Sequence, residues 1–324
     1  MNALLIQGLL LSFALVVILM RPYLQLLRWL GFGKHVREEE PDSHYGKEGT
    51  PTMGGLLLIA VVIVLALVLG LVDASTFAPL LALGGVGVLG GVDDYLNART
   101  GEGINVRQKL IWQTIVAILA AVYIQRHYDF TGFRVPFVGD VHVDPWIFVI
   151  CAAFAIIGAS NGVNITDGLD GLAAGTLIFA YTAFAIISML NNPRQENLAI
   201  FSMLIIGALL GFLWFNVHPA QIFMGDSGAL SLGATLAVTA LIAGQVVILP
   251  FIGLIFVIEA GSVLLQIASV KLTGRRIFRY TPIHYQFELG GWDEEKITMR
   301  FWIVSALAGM LGVVLFLSSL HMFE

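Results

Sequence analysis

With 324 residues, 58% of them hydrophobic and only 12% charged, and a mean hydropathy of +0.87, the chain is too apolar for a soluble domain and reads as an all-α polytopic membrane protein. Its formal net charge of −5 shows no basic excess of the kind a nucleic-acid partner needs, and in such a chain charge informs by location rather than by sum. A single cysteine, Cys151, excludes an internal disulfide and, inside an apolar run, reads as a packed thiol.

A span takes about 20 mostly apolar residues, and ten such segments follow one another. The first, 2–20, has no basic leader and no small-residue cleavage site, so a retained helix is expected rather than a signal peptide. The second, 52–72, is headed by Gly49-Thr50-Pro51-Thr52-Met53-Gly54-Gly55. The third, 75–93, carries Gly84, Gly85, Gly87, Gly90 and Gly91, a density that marks close helix packing, and ends in Asp93-Asp94-Tyr95. The fourth is 109–125. In the outer loop 126–145, Phe133, Val135, Phe137, Val141 and Val143 alternate with other residues around Gly139-Asp140, which predicts a small β-hairpin serving as a structural cap.

Span five, 146–163, runs into Asn164-Ile165-Thr166-Asp167-Gly168-Leu169-Asp170-Gly171, a glycine-rich turn whose N–H groups can approach an anion ahead of span six, 171–190. Span seven, 198–215, leads to Asn216-Val217-His218 and on through Phe223 to Asp226-Ser227-Gly228, before span eight, 228–244. Span nine, 248–271, follows a break at Gln245 and Pro250; it carries Glu259, whose depth favours a protonated hydrogen-bond partner over a catalytic group, and Gln266. A basic loop with Arg275, Arg276 and Arg279 reaches His284, an interfacial histidine by default, and span ten is 300–320. No fixed-period repeat interrupts this order, so residues 1–324 are expected to form one domain.

Of the 17 Lys and Arg residues, 14 fall in loops after odd spans, among them Lys34, Arg37, Lys47 and Lys109; only Arg126, Arg134 and Arg194 do not. The positive-inside rule then puts both termini outside and the ends of odd spans in the cytoplasm. Asp93, Asp94, Asp167, Asp170 and Asp226 would thus meet at the cytoplasmic face. Taken singly, each has an ordinary reading as a solvated interfacial acid or a helix N-cap. Together they can hold a divalent cation and a phosphate ester. The loop before Asp226 has no Lys or Arg, so a cation from elsewhere is expected there, and Mg²⁺ suits one or two carboxylates completed by water and phosphate.

Pro51-Thr52-Met53-Gly54-Gly55, Asp93-Asp94, Asn164 to Gly171, Asn216 to Asp226, and Pro282-Ile283-His284 with Phe287-Glu288-Leu289 together resemble the bacterial phospho-N-acetylmuramoyl-pentapeptide transferases (MraY) of the polyprenyl-phosphate N-acetylhexosamine-1-phosphate transferase superfamily. The resemblance covers essentially the whole chain. It implies an Mg²⁺-dependent enzyme of the bacterial inner (cytoplasmic) membrane that moves phospho-MurNAc-pentapeptide from UDP-MurNAc-pentapeptide to undecaprenyl phosphate, giving lipid I and UMP for peptidoglycan. It also implies a homodimer. Carried over by position, Asp226 would bind the metal at the diphosphate, Asp93 would orient or deprotonate the lipid phosphate, and Asp94 would support either. Asn164, Asp167, Gly168, Leu169, Asp170, Asn216 and Phe223 would form the nucleoside pocket with Lys47 nearby, and Gln266 and His284 would contact the sugar and phosphate side.

Two departures from the family pattern stand out: Tyr285 and Gln286 replace the second and third of three consecutive histidines, and Asn97 replaces a lysine three positions after the second aspartate. Two rival readings are a related transferase of GlcNAc-1-phosphate and, from another class, a secondary transporter. The Pro-Thr-Met-Gly-Gly and Pro-Ile-His segments oppose the first. The boundary position of the motifs opposes the second, because transporter sites lie near the midplane.

Overall fold

The computed structural model describes residues 3–33, 47, 49–130 and 132–321. Lys34 and Arg37, which contribute to the charge asymmetry, lie outside the described residues. In order the elements are α1 (Ala3–Leu30), α2 (Gly54–Val68), α3 (Ala74–Thr100), α4 (Val106–Tyr128), β1 (Gly132–Val135), β2 (Gly139–His142), α5 (Pro145–Thr166), α6 (Leu172–Leu190), α7 (Glu196–Asn216), α8 (Gly225–Ile242), α9 (Leu249–Ile252), α10 (Leu254–Thr273), α11 (Ile283–Glu288) and α12 (Glu294–His321). Among the described residues nine helices are long and apolar enough to cross a membrane. Each of the ten expected spans falls on helix, but the second is short. Gly54 and Gly55 are tied down at its start and Gly70, at φ 66°, ends it, so α2 has 15 residues and a length of only about 22 Å. The ninth is split at Gly253 into the single turn α9, opened by Pro250, and α10.

Most boundaries move outward from the apolar windows. α3 runs on to Thr100, so Asp93 and Asp94 sit inside its last turns and not at its end. α4 starts at Val106, with Asn105 accepting from the Arg107 N–H, which places Lys109 in the first turn of a helix and not in a loop. α12 begins at Glu294, whose charge and that of Glu295 suit a helix N-terminus. Polar residues end an apolar window, but they do not end hydrogen bonding along the backbone.

α8 is the axis of the bundle, buried along nearly its whole length and packed against α3, α5 and α2. It is built from small residues. Ser231, Thr235 and Thr239 satisfy their hydroxyls on carbonyls one turn back, while Tyr181 Oη and Ser160 Oγ donate to the Leu232 and Leu230 carbonyls at 2.7 and 2.8 Å. In a region without water those bonds replace solvation. Around this axis α7 packs on α1 and α6, and α12 on α6.

At one end of the bundle β1 and β2 pair antiparallel, Phe133 opposite Val141 and Arg134 opposite Asp140, as the alternation predicts. The turn falls at 136–138, where Phe137 takes φ 66°, one step earlier than Gly139-Asp140 suggests. Cys151 is not packed: among the described residues it is exposed on α5.

Candidate active site

The other end of the bundle gathers the motifs. Its foundation is the Pro-Thr-Met-Gly-Gly segment. Phe223 N–H donates to the Pro51 carbonyl at 2.8 Å, and the Gly54 and Gly55 N–H groups donate to the Phe223 and Met224 carbonyls at 2.9 and 2.8 Å. A Cβ on Gly55 would lie 2.2 Å from the Gly228 backbone, so paired glycines are what let the start of α2 touch the start of α8. Gly90 does the same from α3, where a Cβ would stand 2.4 Å from the Asp226 backbone. Gly87 and Gly91 face Ile59 and Leu56 of α2, in keeping with a packing role.

Asp226 is therefore delivered to a fixed position. It does not N-cap α8, as the sequence suggests; it lies within the first turn after Gly225. The cap comes from a different helix: Asp94, buried on α3, accepts from the Asp226 and Ser227 N–H groups at 2.9 and 3.0 Å. A carboxylate there also meets the positive end of the helix dipole. One oxygen of Asp226 accepts from Asn164 Nδ2 at 2.9 Å, and the other is 2.7 Å from Lys109 Nζ. Lys109 also bridges to Asp93 Oδ2 at 2.7 Å, while Asp93 Oδ1 accepts from the Ile104 N–H. From the sequence, Mg²⁺ is expected beside Asp226; in the structure the cation there is Lys109 of α4. Its ammonium draws two carboxylate oxygens, from α3 and α8, to one point.

A second cluster lies around Asp170. Lys47 Nζ contacts Asp170 Oδ1 at 2.9 Å and Glu294 Oε1 at 2.7 Å, and Glu294 Oε1 also accepts from the Asp170 N–H at 2.6 Å. The other Asp170 oxygen meets His218 Nδ1 at 2.9 Å and the Ala220 N–H at 3.0 Å. Burial works against both charges, yet each is favoured on balance. For Lys47, burial is outweighed by Glu294 and Asp170, which hold its ammonium above its ordinary range; for Asp170, it is outweighed by Lys47, the Ala220 N–H and His218, which hold its carboxyl below the usual range. These residues line a cavity of about 790 Å³ shared with Trp292, Asp293 and Glu295. Asp170 does not cap α6, whose N-cap is Gly171 at φ 74°.

The remaining predicted residues divide into those facing the site and those building it. Asn216 uses both ends of its amide, accepting from Gly171 N–H at 3.1 Å and donating to the Ile222 carbonyl at 2.9 Å, and so ties the 167–171 turn to the segment before α8. Leu169 is buried with Leu172, Ile255, Ile297 and Phe301 and anchors that turn. Asp167 and Phe223 are half-buried at its rim. Gln266 folds the basic loop, accepting from the Ile277 and Phe278 N–H groups at 3.0 Å and donating to the Phe278 carbonyl at 3.0 Å. His284 is fully buried instead of interfacial, with Nδ1 3.1 Å from Glu259 Oε2 and the ring against Gly168. Gln286 Oε1 accepts from the Tyr280 N–H at 3.1 Å, which gives this replacement of a family histidine a job in the loop.

Five aspartates at one end thus resolve into a group of three around Lys109 and Asp94's cap, a separate ion-pair clasp at Asp170, and Asp167 on the turn between. Sequence reasoning missed Lys109 and Glu294 as site residues. Lys109 had been counted as a topology charge, and Glu294 stood in a Trp-Asp-Glu-Glu-Lys run ahead of the last span whose acidity was the available signal. For a divalent cation two donor sets present themselves. Asp170, His218 and Glu294 offer atoms within 4.8 Å of one another, but as a mixed nitrogen and oxygen set already neutralised by Lys47. Asp226 and Asp93 are likewise neutralised, by Lys109, but offer carboxylate oxygens only, the ligand type that suits a hard ion such as Mg²⁺.

Residues 76–244 match glycosyl transferase family 4, and residues 47–59 match phospho-N-acetylmuramoyl-pentapeptide-transferase signature 1. The chain is 43% identical over 310 residues to the phospho-N-acetylmuramoyl-pentapeptide-transferase of Bacillus velezensis, covering 92% of this chain and 94% of that one. To the proteins of the same name from Geobacillus kaustophilus and Bacillus subtilis it is 42% identical in each case, over 93% and 94% of its length and 94% and 95% of theirs.

Proposed function

Because the chain belongs to the phospho-N-acetylmuramoyl-pentapeptide-transferase family, we propose that its clustered carboxylates form the active site of lipid I synthesis at the cytoplasmic face of the membrane. The protein is a multi-pass membrane transferase that joins phospho-MurNAc-pentapeptide from its UDP carrier to undecaprenyl phosphate. In the net reaction an oxygen of the lipid phosphate becomes bonded to the sugar-linked phosphorus of the donor, and the bond from that phosphorus to UMP is broken. The observation that carries the site assignment is the convergence of Asp93 and Asp226 on Lys109, at the end of the bundle where the nucleotide-sized cavity beside Lys47 also opens. A water-soluble donor and a membrane-held acceptor can meet only at such a rim.

In this reading Asp226, held by Asn164 and by the Asp94 cap, would be the principal holder of one Mg²⁺, and Asp93 would assist it. The chemistry such an ion would supply is neutralisation of charge on the diphosphate, and positioning of this kind supplies most of the catalysis in phosphoryl transfer. Asp93 orients the lipid phosphate or takes its proton, and Lys109 lies between the two neighbouring carboxylates. The turn 167–171, Asn216 and Phe223 shape the nucleoside pocket, with the Lys47 clasp at its edge. The homodimer belongs to the same reading and is measurable by light scattering in detergent.

Release of UMP should require Mg²⁺, UDP-MurNAc-pentapeptide and polyprenyl phosphate together. UDP-GlcNAc in place of the donor should give none. Asp226→Asn should abolish turnover while the protein remains folded by circular dichroism. Near-normal activity of that variant at ordinary Mg²⁺ would remove Asp226 from the site.

A further inference from the structure

His284 and Glu259 form a pair that the chemistry above leaves unused. Neither side chain has any solvent exposure, and His284 Nδ1 lies 3.1 Å from Glu259 Oε2. Among the described residues His284 Nε2 and Glu259 Oε1 have no hydrogen-bond partner. A buried polar atom without a partner is costly, so an arrangement that keeps one calls for a reason. The free ring nitrogen faces the 167–171 turn: a Cβ on Gly168 would stand 2.4 Å from Nε2, so only glycine leaves the imidazole room there.

Counting protons narrows what that nitrogen can do. Within the span α10, burying a net charge is expensive, and His284 is the only ion-pair partner of Glu259 among the described residues. Two arrangements leave the pair neutral with no hydrogen stranded on Glu259 Oε1: an ionised carboxylate facing an imidazolium, or a carboxylic acid donating to Nδ1 of a neutral imidazole. Both put the hydrogen on Nε2. A lone pair on Nε2 would leave either an ionised carboxylate beside a neutral ring, with a net negative charge, or a carboxylic acid whose hydrogen is stranded on Oε1, where no acceptor lies among the described residues. We propose that Glu259 is a positioning residue that fixes His284 as an Nε2–H donor toward the Gly168 turn, so that His284 binds an anionic phosphate oxygen of the donor substrate and does not act as a base.

The identity of that ligand rests on the transferase reading; the protonation state does not, and the two are tested separately. Protein labelled with ¹⁵N-histidine, with His284→Gln used to assign the signal, should show a proton-bearing, pyrrole-type Nε2 near neutral pH. A pyridine-type Nε2 in the wild-type protein would overturn the proposal. Glu259→Leu, which keeps bulk but offers no partner for Nδ1, should release a pyridine-type population and lower kcat by at least about tenfold, with a smaller change in KM for the nucleotide. Glu259→Gln retains both an acceptor and a donor for Nδ1 and should recover most of the loss. If both variants instead lose activity in step with thermal stability, while the Nε2 signal is unmoved, Glu259 is a packing residue only and the proposal fails. A pyrrole-type Nε2 in a protein that releases no UMP would support the fixed donor and sink the transferase reading.

Discussion

At the scale of single residues, the site is held by ionic contacts whose strength depends on which groups are charged, and the clasp at Asp170 makes that dependence measurable. Asp170 has its carboxyl held below the ordinary value of 3.8, so its contribution to stability is complete above that value and is lost as pH falls through the lower, folded one. Lys47 is held above its ordinary 10.5, so its contribution is complete below that value and lost only as pH rises through the higher one. The clasp is therefore intact across the neutral range and fails first, on the acid side, through Asp170. Wild-type protein should melt higher than Asp170→Asn at about pH 6, and the gap should shrink as pH falls below about 4. A gap that stays constant through that range would show that the Lys47 and His218 contacts do not stabilise the charged form. The aspartates were legible in the sequence because ionised groups next to apolar spans are rare. Their partners were not. Lys109 reaches Asp226, and Glu294 reaches Asp170, across more than a hundred positions of chain, and no local spacing records such a meeting.

At the scale of helices, the decisive feature is how closely α2 and α3 approach the first turn of α8. Asp94 can cap α8 from α3 only because Gly90 allows the two backbones to touch. The glycine-rich stretch of α3 was recognisable as a packing face, but which glycine meets backbone and which meets a yielding side chain depends on the partner helix. Gly90 and Gly84 separate the two cases. A methyl at Gly90 would stand 2.4 Å from the Asp226 carbonyl and Ser227 nitrogen, whereas at Gly84 the nearest atom is Ile63 Cδ1 at 3.7 Å, an ordinary contact. Gly90→Ala should destabilise the bundle by about 1–3 kcal/mol through overpacking and, by displacing Asp226, reduce turnover more than the stability loss explains. Gly84→Ala should be neutral or stabilising by about 0.5–1 kcal/mol, since alanine lowers the entropy cost of a helix interior. Thermal unfolding of the two variants in the same detergent decides it, and equal effects would mean that the α3–α8 contact does not position the site. Helix ends were the least legible part of the fold for a related reason: apolar windows stop at Asp93 and begin after Asp226, while the helices themselves continue through both residues.

At the scale of the whole molecule, alternating spans sort the chain into two ends with different jobs. One end carries the hairpin between α4 and α5, where Arg134 and Asp140 form an exposed pair 3.1 Å apart. The other carries the Lys109–Asp226 pair and, separately, Lys47 and His218 on Glu294, together with the basic loop folded by Gln266. The number and order of spans could be read from hydropathy alone, because each helix must satisfy its own backbone in lipid and so must be long and apolar. That reading failed only where short-range chemistry intervenes, at the glycines that curtail α2 and the break before α10. The sequence expectation that the carboxylate-bearing end faces the cytoplasm rests on the split of Lys and Arg, 14 of 17 after odd spans. Two exposed residues outside the ionic clusters of the site make the test clean. Arg279 lies in the basic loop; Asp140 belongs to a surface ion pair of the kind worth about 0–1 kcal/mol, so its loss leaves the fold intact. The native Cys151 is exposed on α5 and has to be replaced by serine first, or it reports in every sample. In intact cells a membrane-impermeant maleimide should then modify Asp140→Cys, and should reach Arg279→Cys only after the membrane is opened. The opposite pattern would place the carboxylates outside, away from any cytoplasmic nucleotide, and neither lipid I synthesis nor the assigned role of Asp226 could stand.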